Sequence, residues 1–271
     1  MSVQELGTPI AVGRTAEIFA WEDGHVLKLY RDWCPSNWVE HEAKIGKIVC
    51  AAGLPTPAIG DIVEVNQRRG ILYERLDGTS MLVSFKAKVW TLPICARMLA
   101  ELHAAMHACA VPIDLPSQRE GFANSIRHAP NLPTHLRDTV LRTLDQLPTG
   151  DRLCHGDFHP DNVMITAHGP IIIDWMTATR GNPLADVART LLLLTISKPQ
   201  TIIEQLIIRF ARRIFVSGYL KRYCELRPYD DDQLAAWQPI IAAARINENI
   251  AGERERLLAL AGGGAKLKKT N

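Results

Sequence analysis

HGDFHPDN at residues 155–162 and IIIDW at residues 171–175 decide how the rest of this 271-residue chain is read. Together they place two carboxylates, Asp157 and Asp174, and one carboxamide, Asn162, in a fixed order along a short segment. An Asp-x-x-x-x-Asn spacing followed by an apolar run ending on aspartate suits transfer of a phosphoryl group from a metal-bound nucleotide. Such transfer needs little covalent work from a protein: phosphates and metal must be held, and the attacking hydroxyl aligned for in-line displacement. In that geometry Asp157 accepts the hydroxyl proton, the Asn162 side-chain oxygen ligates Mg²⁺, and Asp174 is the principal metal carboxylate. Alone, Asp-x-x-x-x-Asn is a weak signal, because both residues are common in turns. His155-Gly156 before it and Ile-Asp-Trp after it make it specific.

Composition bounds the alternatives. At 47% hydrophobic the chain can bury a substantial core, as one large domain or two modest ones. Thirty-one basic residues against 29 acidic ones leave a formal charge of +2, which announces neither a nucleic-acid nor a membrane surface. The one basic cluster, Lys266, Lys268 and Lys269, follows a glycine run at the extreme C-terminus and reads as a solvated tail. MSVQELGTPI carries no secretory pattern, so residence in the cytoplasm is expected. The longest apolar stretch, 94–111, is interrupted by Arg97, Glu101, His103 and His107 and is unfit to span a bilayer. Cys34, Cys50, Cys95, Cys109, Cys154 and Cys224 form no CxxC pair and are expected to be reduced thiols.

The chain before Asp77 reads as strand, strand, strand, helix, strand, strand. Asp23-Gly24 marks a hairpin between Ala16–Trp21 and His25–Tyr30. Alternation along the latter puts His25, Leu27 and Leu29 on one face and Val26, Lys28 and Tyr30 on the other. A helix over 37–52, opened by Pro35-Ser36-Asn37 and stopped by Gly53, carries Trp38, Glu42, Ile45, Val49 and Ala52 on one stripe. Glu42 on that inward stripe needs a cation, and Lys28 on the preceding strand is the nearest candidate. Strands at 58–65 and 70–76 follow, separated by the turn Asn66–Arg69.

Beyond Asp77-Gly78-Thr79-Ser80 the reading is almost entirely helical, with helices over 81–90, 93–110, 118–128, 134–147, 200–225, 231–246 and 248–261. Short strands at 162–166 and 170–173 interrupt it. Asn182-Pro183 caps a further helix whose first turn carries Asp186, a carboxylate also near enough in sequence to brace the amides of the 155–162 loop. The expected domains are therefore residues 1–77, holding the nucleotide, and 78–271, holding the 155–162 loop and the acceptor pocket. His103 and His107 have metal-ligand spacing but no HExxH acid, so packed, hydrogen-bonded histidines are favoured.

HGDFHPDN, IIIDW and the upstream lysine and glutamate resemble the aminoglycoside phosphotransferase and choline kinase-like family of small-molecule kinases. GRTAEIF at 13–19 is similar to that family's phosphate-covering hairpin, VLKLY at 26–30 to its lysine strand, HEA at 41–43 to its glutamate helix, and ILYERLDG at 71–78 to its hinge. The resemblance implies an α+β, bilobal protein-kinase-like fold: a five-stranded antiparallel sheet with one helix, then a larger helical lobe. It implies that Gly13 and Thr15 cover the phosphates and that Lys28, oriented by Glu42, contacts the α- and β-phosphates. Backbone groups of Glu74 and Leu76 would hydrogen-bond adenine, Asp157 would be the base, and Asn162 and Asp174 the metal ligands. Two departures bear on the substrate. Gly156 stands where a protein kinase has arginine, and Asp174 and Asp186 are too close for a long activation segment, so a protein substrate is disfavoured.

The resulting expectation is a cytoplasmic phosphotransferase that uses ATP and Mg²⁺ to phosphorylate a hydroxyl of a small molecule, with neither nucleic acid nor membrane as partner. The acceptor, a metabolite, amino sugar or aminoglycoside-like compound, and the oligomeric state stay open. The alternative is a catalytically silent kinase-like module that binds nucleotide or a partner. Glu248, Glu253 and Glu255, interleaved with Arg245, Arg254 and Arg256, read as a solvated charged face.

Overall fold

The computed structural model describes residues 6–22, 24–111, 115–196 and 202–264, with backbone alone for 202–206. Asp23 and the terminal lysines Lys266, Lys268 and Lys269 lie outside the described residues. In chain order the elements are β1 (Ala11–Val12), β2 (Ala16–Ala20), β3 (His25–Tyr30), α1 (Ser36–Ala51), β4 (Ile59–Val65), β5 (Arg68–Glu74), β6 (Gly78–Ser80), α2 (Met81–Ala87), α3 (Leu92–Met106), α4 (Gln118–His128), α5 (Thr134–Gln146), β7 (Arg152–Cys154), β8 (Val163–Thr166), β9 (Gly169–Ile172), β10 (Thr179–Gly181), α6 (Pro183–Ile196), α7 (Ile202–Leu226), α8 (Asp231–Ile246) and α9 (Arg254–Ala261). The chain divides into two compact units: 1–80 with 162–176, and 81–161 with 177–271.

The first unit is built on an antiparallel sheet of order β1-β2-β3-β5-β4. Gly24 takes φ 75°, the left-handed turn geometry that closes β2 onto β3. Between β4 and β5 the reversal is tighter than the expected four-residue turn. Asn66 and Gln67 both adopt positive φ, 51° and 63°, so the loop has two residues and Arg68 already pairs with Val65.

Alternation along β3 sorts its side chains into two cores. Leu27 and Leu29 pack with Phe19 and Val65 on one face, while Tyr30 packs with Val39, Ala43 and Ile71 under α1 on the other. Full burial of each leucine contributes about 1.5–3 kcal/mol relative to exposure. Glu42, Ile45 and Val49 of the expected stripe on α1 are buried, but its margins shift: Val39, Ala43 and Gly46 are buried, whereas Trp38 and Ala52 are only half-buried. The helix rolls because Gly46 lets it settle onto Ile59 of β4; a Cβ there would come within 2.7 Å of the Ile59 side chain. Residues 78–80, read from sequence as a connector, form β6, which pairs with β8. The order β6-β8-β9 brings 162–176 into this unit.

The second unit is mainly helical, with β7 and β10 as a short antiparallel pair. α8 is its central element, burying Leu234, Trp237, Ile240, Ile241 and Ile246. Asp230 caps it by accepting from the Asp232 amide at 2.8 Å, and Asn182 caps α6 by accepting from the Leu184 amide at 2.9 Å. The helix expected over 248–261 begins only at Arg254. Asn249 (φ 51°) and Gly252 (φ 80°) turn left-handed and break the helical run. Among the described residues no helix is long and apolar enough to cross a membrane.

The architecture is α+β: a five-stranded antiparallel sheet with one helix, followed by a larger, mainly helical part.

Candidate functional site

In the first unit, Lys28 points from β3 to the same side as Tyr30, the side covered by α1. Its Nζ donates to Glu42 Oε1 at 2.7 Å and to Asp174 Oδ1 at 3.0 Å. Tyr73 donates its hydroxyl to Glu42 Oε1 at 2.8 Å, and Tyr30 donates to Glu42 Oε2. A carboxylate buried to 2% exposure would be costly unpaired, and one ammonium with two phenols satisfies it. Burial acts to lower the Lys28 pKa, but the charges of Glu42 and Asp174 outweigh it and hold Lys28 above its ordinary value, protonated. Burial and the Glu42 charge push both phenols up, so Tyr30 and Tyr73 remain donors.

Asp174 follows β9 and adopts φ 63°, a left-handed conformation that aspartate tolerates better than most residues. Across the β8–β9 hairpin Val163 pairs with Ile172, and the Ile173 amide donates to the Asn162 carbonyl at 3.0 Å. Asn162 and Asp174 thus stand at the same end of one hairpin. Asn162 is buried, whereas the Asp174 side chain is 47% exposed.

Gly13 and Thr15 lie on the turn from β1 to β2. There the Gly13 amide donates to the Ala16 carbonyl at 2.8 Å, and Arg31 donates to the carbonyls of Gly13 and Arg14, both at 3.2 Å. Glu74 ends β5. Its amide donates to the Ala58 carbonyl at 2.9 Å and its carboxylate accepts from the Ala58 amide at 3.0 Å. Leu76 lies in the segment between β5 and β6. The structure therefore brings Lys28, Glu42 and Asp174 into one bonded cluster, while separate bonds fix Gly13, Thr15 and Glu74.

Asp157 belongs to the second unit. His159 Nε2 lies 3.5 Å from Asp157 Oδ2, and Arg189 Nη2 lies 3.9 Å from Oδ1. Burial acts to raise the Asp157 pKa, but the His159 hydrogen bond and the charges of His159, Arg189 and His155 bring it down to about 2. Asp157 is thus a carboxylate at neutral pH. Gly156 before it takes φ 80°, and a Cβ there would lie 2.6 Å from the Thr177 carbonyl oxygen, so only glycine fits. The residue that departs from the protein-kinase pattern is thereby fixed by local geometry.

Asp186, on the first turn of α6, is fully buried and accepts four hydrogen bonds. They come from the amides of His155 (2.6 Å) and Gly156 (2.8 Å) and from Nε2 of His103 (3.1 Å) and His107 (3.3 Å). Burial opposes its charge, yet these donors hold its pKa well below the carboxylate range. His103 Nδ1 lies 2.6 Å from the Tyr219 hydroxyl, and His107 Nδ1 lies 2.7 Å from that of Tyr223. A carboxylate can only accept, so Nε2 of each ring donates to Asp186, and the phenols are the partners of the two Nδ1 atoms. Burial, then the neighbouring His103, depresses His107 to about 3. The ligand atoms of this His-His-Asp group lie within 4.8 Å of one another, but every ring nitrogen is already engaged in a hydrogen bond. The packed reading of the two histidines holds.

Sequence reasoning missed the two tyrosines on Glu42. Tyr30 was accessible as the i+2 neighbour of Lys28 on its strand face, whereas Tyr73 becomes apparent only from the β3–β5 register, which pairs it with Val26. It also misplaced two glutamates. Glu248 and Glu253 are not a solvated face: Glu248 bonds Arg189 (2.5 Å) and Arg245 (2.9 Å), and Glu253 takes Arg245 with both oxygens (2.6 and 3.0 Å). Glu255 is exposed as expected.

The fold is shared with solved kinases. An amicoumacin kinase in complex with AMP-PNP, Ca²⁺ and Ami aligns with TM-score 0.67 at 14% identity, covering 97% of this chain and 90% of that one. An aminoglycoside-3′-phosphotransferase of type VIII aligns with TM-score 0.61 at 16% identity, covering 90% and 94%. A choline/ethanolamine kinase family protein from Mesorhizobium loti aligns with TM-score 0.51 at 17% identity, covering 96% and 92%. No curated protein matches the chain. The model of the phosphotransferase enzyme family (APH) matches residues 7–237, and the chain belongs to that family.

Proposed function

We propose that this protein is an ATP- and Mg²⁺-dependent phosphotransferase that phosphorylates a hydroxyl group of a small molecule. The observation that carries the reading is Lys28, whose Nζ bridges the α1 carboxylate of Glu42 at 2.7 Å and the strand-end carboxylate of Asp174 at 3.0 Å. A protonated lysine beside an exposed carboxylate suits nucleotide phosphates with a divalent cation. Lys28 faces the α- and β-phosphates, and Glu42, fixed by Tyr30 and Tyr73, orients it.

Asn162 and Asp174 offer an amide oxygen and a carboxylate at one end of the β8–β9 hairpin, the hard oxygen donors that Mg²⁺ takes. When bound, Mg²⁺ supplies neutralisation of the charge on the transferring phosphoryl group. Gly13 and Thr15 cover the phosphates from the β1–β2 turn. Because the Glu74 amide is committed to Ala58, adenine is read by the Glu74 carbonyl and the Leu76 amide. Asp157, ionised at neutral pH, aligns the acceptor hydroxyl and takes its proton. An acceptor that is a small metabolite, amino sugar or aminoglycoside-like compound accords with the family and with the short chain between Asp174 and Asp186.

Thermal unfolding separates this reading from a silent module. ATP with Mg²⁺ is expected to raise the melting temperature, EDTA to cancel most of the rise, and a compound from a hydroxylated panel to stimulate ADP release. Stabilisation without turnover on any compound would favour a binding module. Neither stabilisation nor turnover would leave both readings without support.

A further inference from the structure

One face of α6 is matched to the backbone around Asp157. Asp186 accepts from the amides of His155 and Gly156, Arg189 Nε donates to the Gly156 carbonyl at 3.2 Å, and Thr190 donates to the Phe158 carbonyl at 2.9 Å. These three residues stand at i, i+3 and i+4, so a single helical face holds the loop. Arg189 also reaches toward the Asp157 side chain itself. Its Nη2 donates to Glu248 Oε1 at 2.5 Å yet stops 3.9 Å short of Asp157 Oδ1.

Glu248 lies in the turn that follows α8 and is held from its other side by Arg245 Nη1 at 2.9 Å. Arg245 is itself anchored on both oxygens of Glu253 and is 8% exposed. One guanidinium, 12% exposed, thus faces two carboxylates at unequal distances, and the carboxylate it favours is fixed by a second arginine.

We propose that Glu248 and Arg189 form a positioning pair for the Asp157 base, in which Glu248 holds the guanidinium back from Asp157. The proposal rests on the phosphotransferase reading and names residues that set its efficiency. The chemistry is that of competition for one donor. An arginine in direct contact with a carboxylate makes strong charge-assisted hydrogen bonds, stabilises the anion and directs its lone pairs away from any other proton. A base held in that way takes a hydroxyl proton poorly, because general-base efficiency falls with basicity. With Glu248 accepting from Nη2 at 2.5 Å, the guanidinium orders the loop through Gly156 and keeps only a long, 3.9 Å ion pair with Asp157 in place of direct hydrogen bonds. Arg189 and Glu248 touch no reacting atom in this scheme and act only through Asp157.

The test is a double-mutant cycle read as kcat, with ADP release from ATP and Mg²⁺ measured on a panel compound that supports transfer, or on water. All variants are compared at a temperature where circular dichroism shows them folded. Glu248→Gln is expected to lower kcat by about tenfold or more while the KM for ATP stays within about twofold. Glu248→Asp keeps most of the rate. Adding Arg189→Met to Glu248→Gln is expected to recover kcat several-fold, because the released guanidinium is gone. A merely structural salt bridge leaves kcat per folded molecule unchanged in the single variant and offers nothing to recover.

Wild-type kcat in Glu248→Gln, or a double variant slower than the single one, overturns the proposal. A crystal structure of Glu248→Gln decides the matter without turnover: Arg189 is expected within about 3.2 Å of Asp157, and a guanidinium still near its present distance overturns the proposal. Equal ADP release by wild type and Asp157→Asn would instead sink the phosphotransferase reading, so the two failures are distinguishable.

Discussion

Two carboxylate clusters anchor the two units, and they are built to opposite ends. Around Glu42 the donors are one ammonium and two phenols, and the ammonium also reaches Asp174, whose side chain is 47% exposed. Around Asp186 the donors are two amides and two imidazoles, all in a sealed interior with the carboxylate and both rings at 0% exposure. The first cluster ends in a charge that solvent, and hence a ligand, can reach. The second is closed on itself, and its charge is spent on holding the backbone of His155 and Gly156. A buried carboxylate whose partner also reaches an exposed acid leaves a charge within reach of solvent, whereas one closed on itself serves only as scaffold.

Removing the centre of the sealed cluster is expected to have the largest effect. Asp186→Ala leaves two amides and two imidazole N–H groups buried without an acceptor, and unfolding by denaturant should show a loss of about 3–5 kcal/mol. A loss under about 1 kcal/mol would break the contrast between the clusters. Lys28→Met should behave in the opposite sense. Turnover is expected to fall about 100-fold or more, with the ATP-induced rise in melting temperature largely lost. The folding cost is smaller, about 1–3 kcal/mol, because both phenols still donate to Glu42. Unchanged turnover in that variant would remove Lys28 from the phosphate site.

Acid should act on the sealed cluster through protonation. His107 has a folded pKa of about 3 against an ordinary 6.5, so between those values the unfolded chain binds more protons and stability rises with pH. The contribution is present above pH 6.5 and is lost as pH falls toward 3; near pH 5 the loss amounts to about 2 kcal/mol. Asp186, held well below its ordinary value, adds a loss of the same sign at lower pH. Denaturation curves at pH 7 and 5 measure the first step, and equal stabilities would mean that His107 is not held neutral. The smallest effect is expected from Tyr223→Phe, which removes the donor to His107 Nδ1 at a cost of about 1 kcal/mol. An unchanged stability there would show that the phenol contributes no hydrogen bond to the cluster.

What was legible in the sequence was local. The alternation of VLKLY and the period of α1 placed Lys28 and Glu42 on facing sides, because both patterns are set by neighbours within a few residues. Asn182-Pro183 marked a helix start for the same reason. The strands β6, β7 and β10 were not legible, since each has only three residues and its pairing partner lies far along the chain. The Tyr73 phenol on Glu42 required the β3–β5 register. The Arg189–Glu248–Arg245 network was hidden by one local misreading: a helix drawn through residues 248–253 sends Glu248 into solvent. The left-handed residues Asn249 and Gly252 instead turn it back toward α6. Tertiary context overrode helix propensity there, and a glycine at 252 was the signal available.

The proposed phosphoryl transfer turns on Asp157. ADP release from ATP and Mg²⁺, measured over a panel of hydroxylated small molecules, should show at least one compound that wild type phosphorylates and that Asp157→Asn turns over about 100-fold or more slowly at the same melting temperature. Equal rates in the two proteins on every compound would contradict the account.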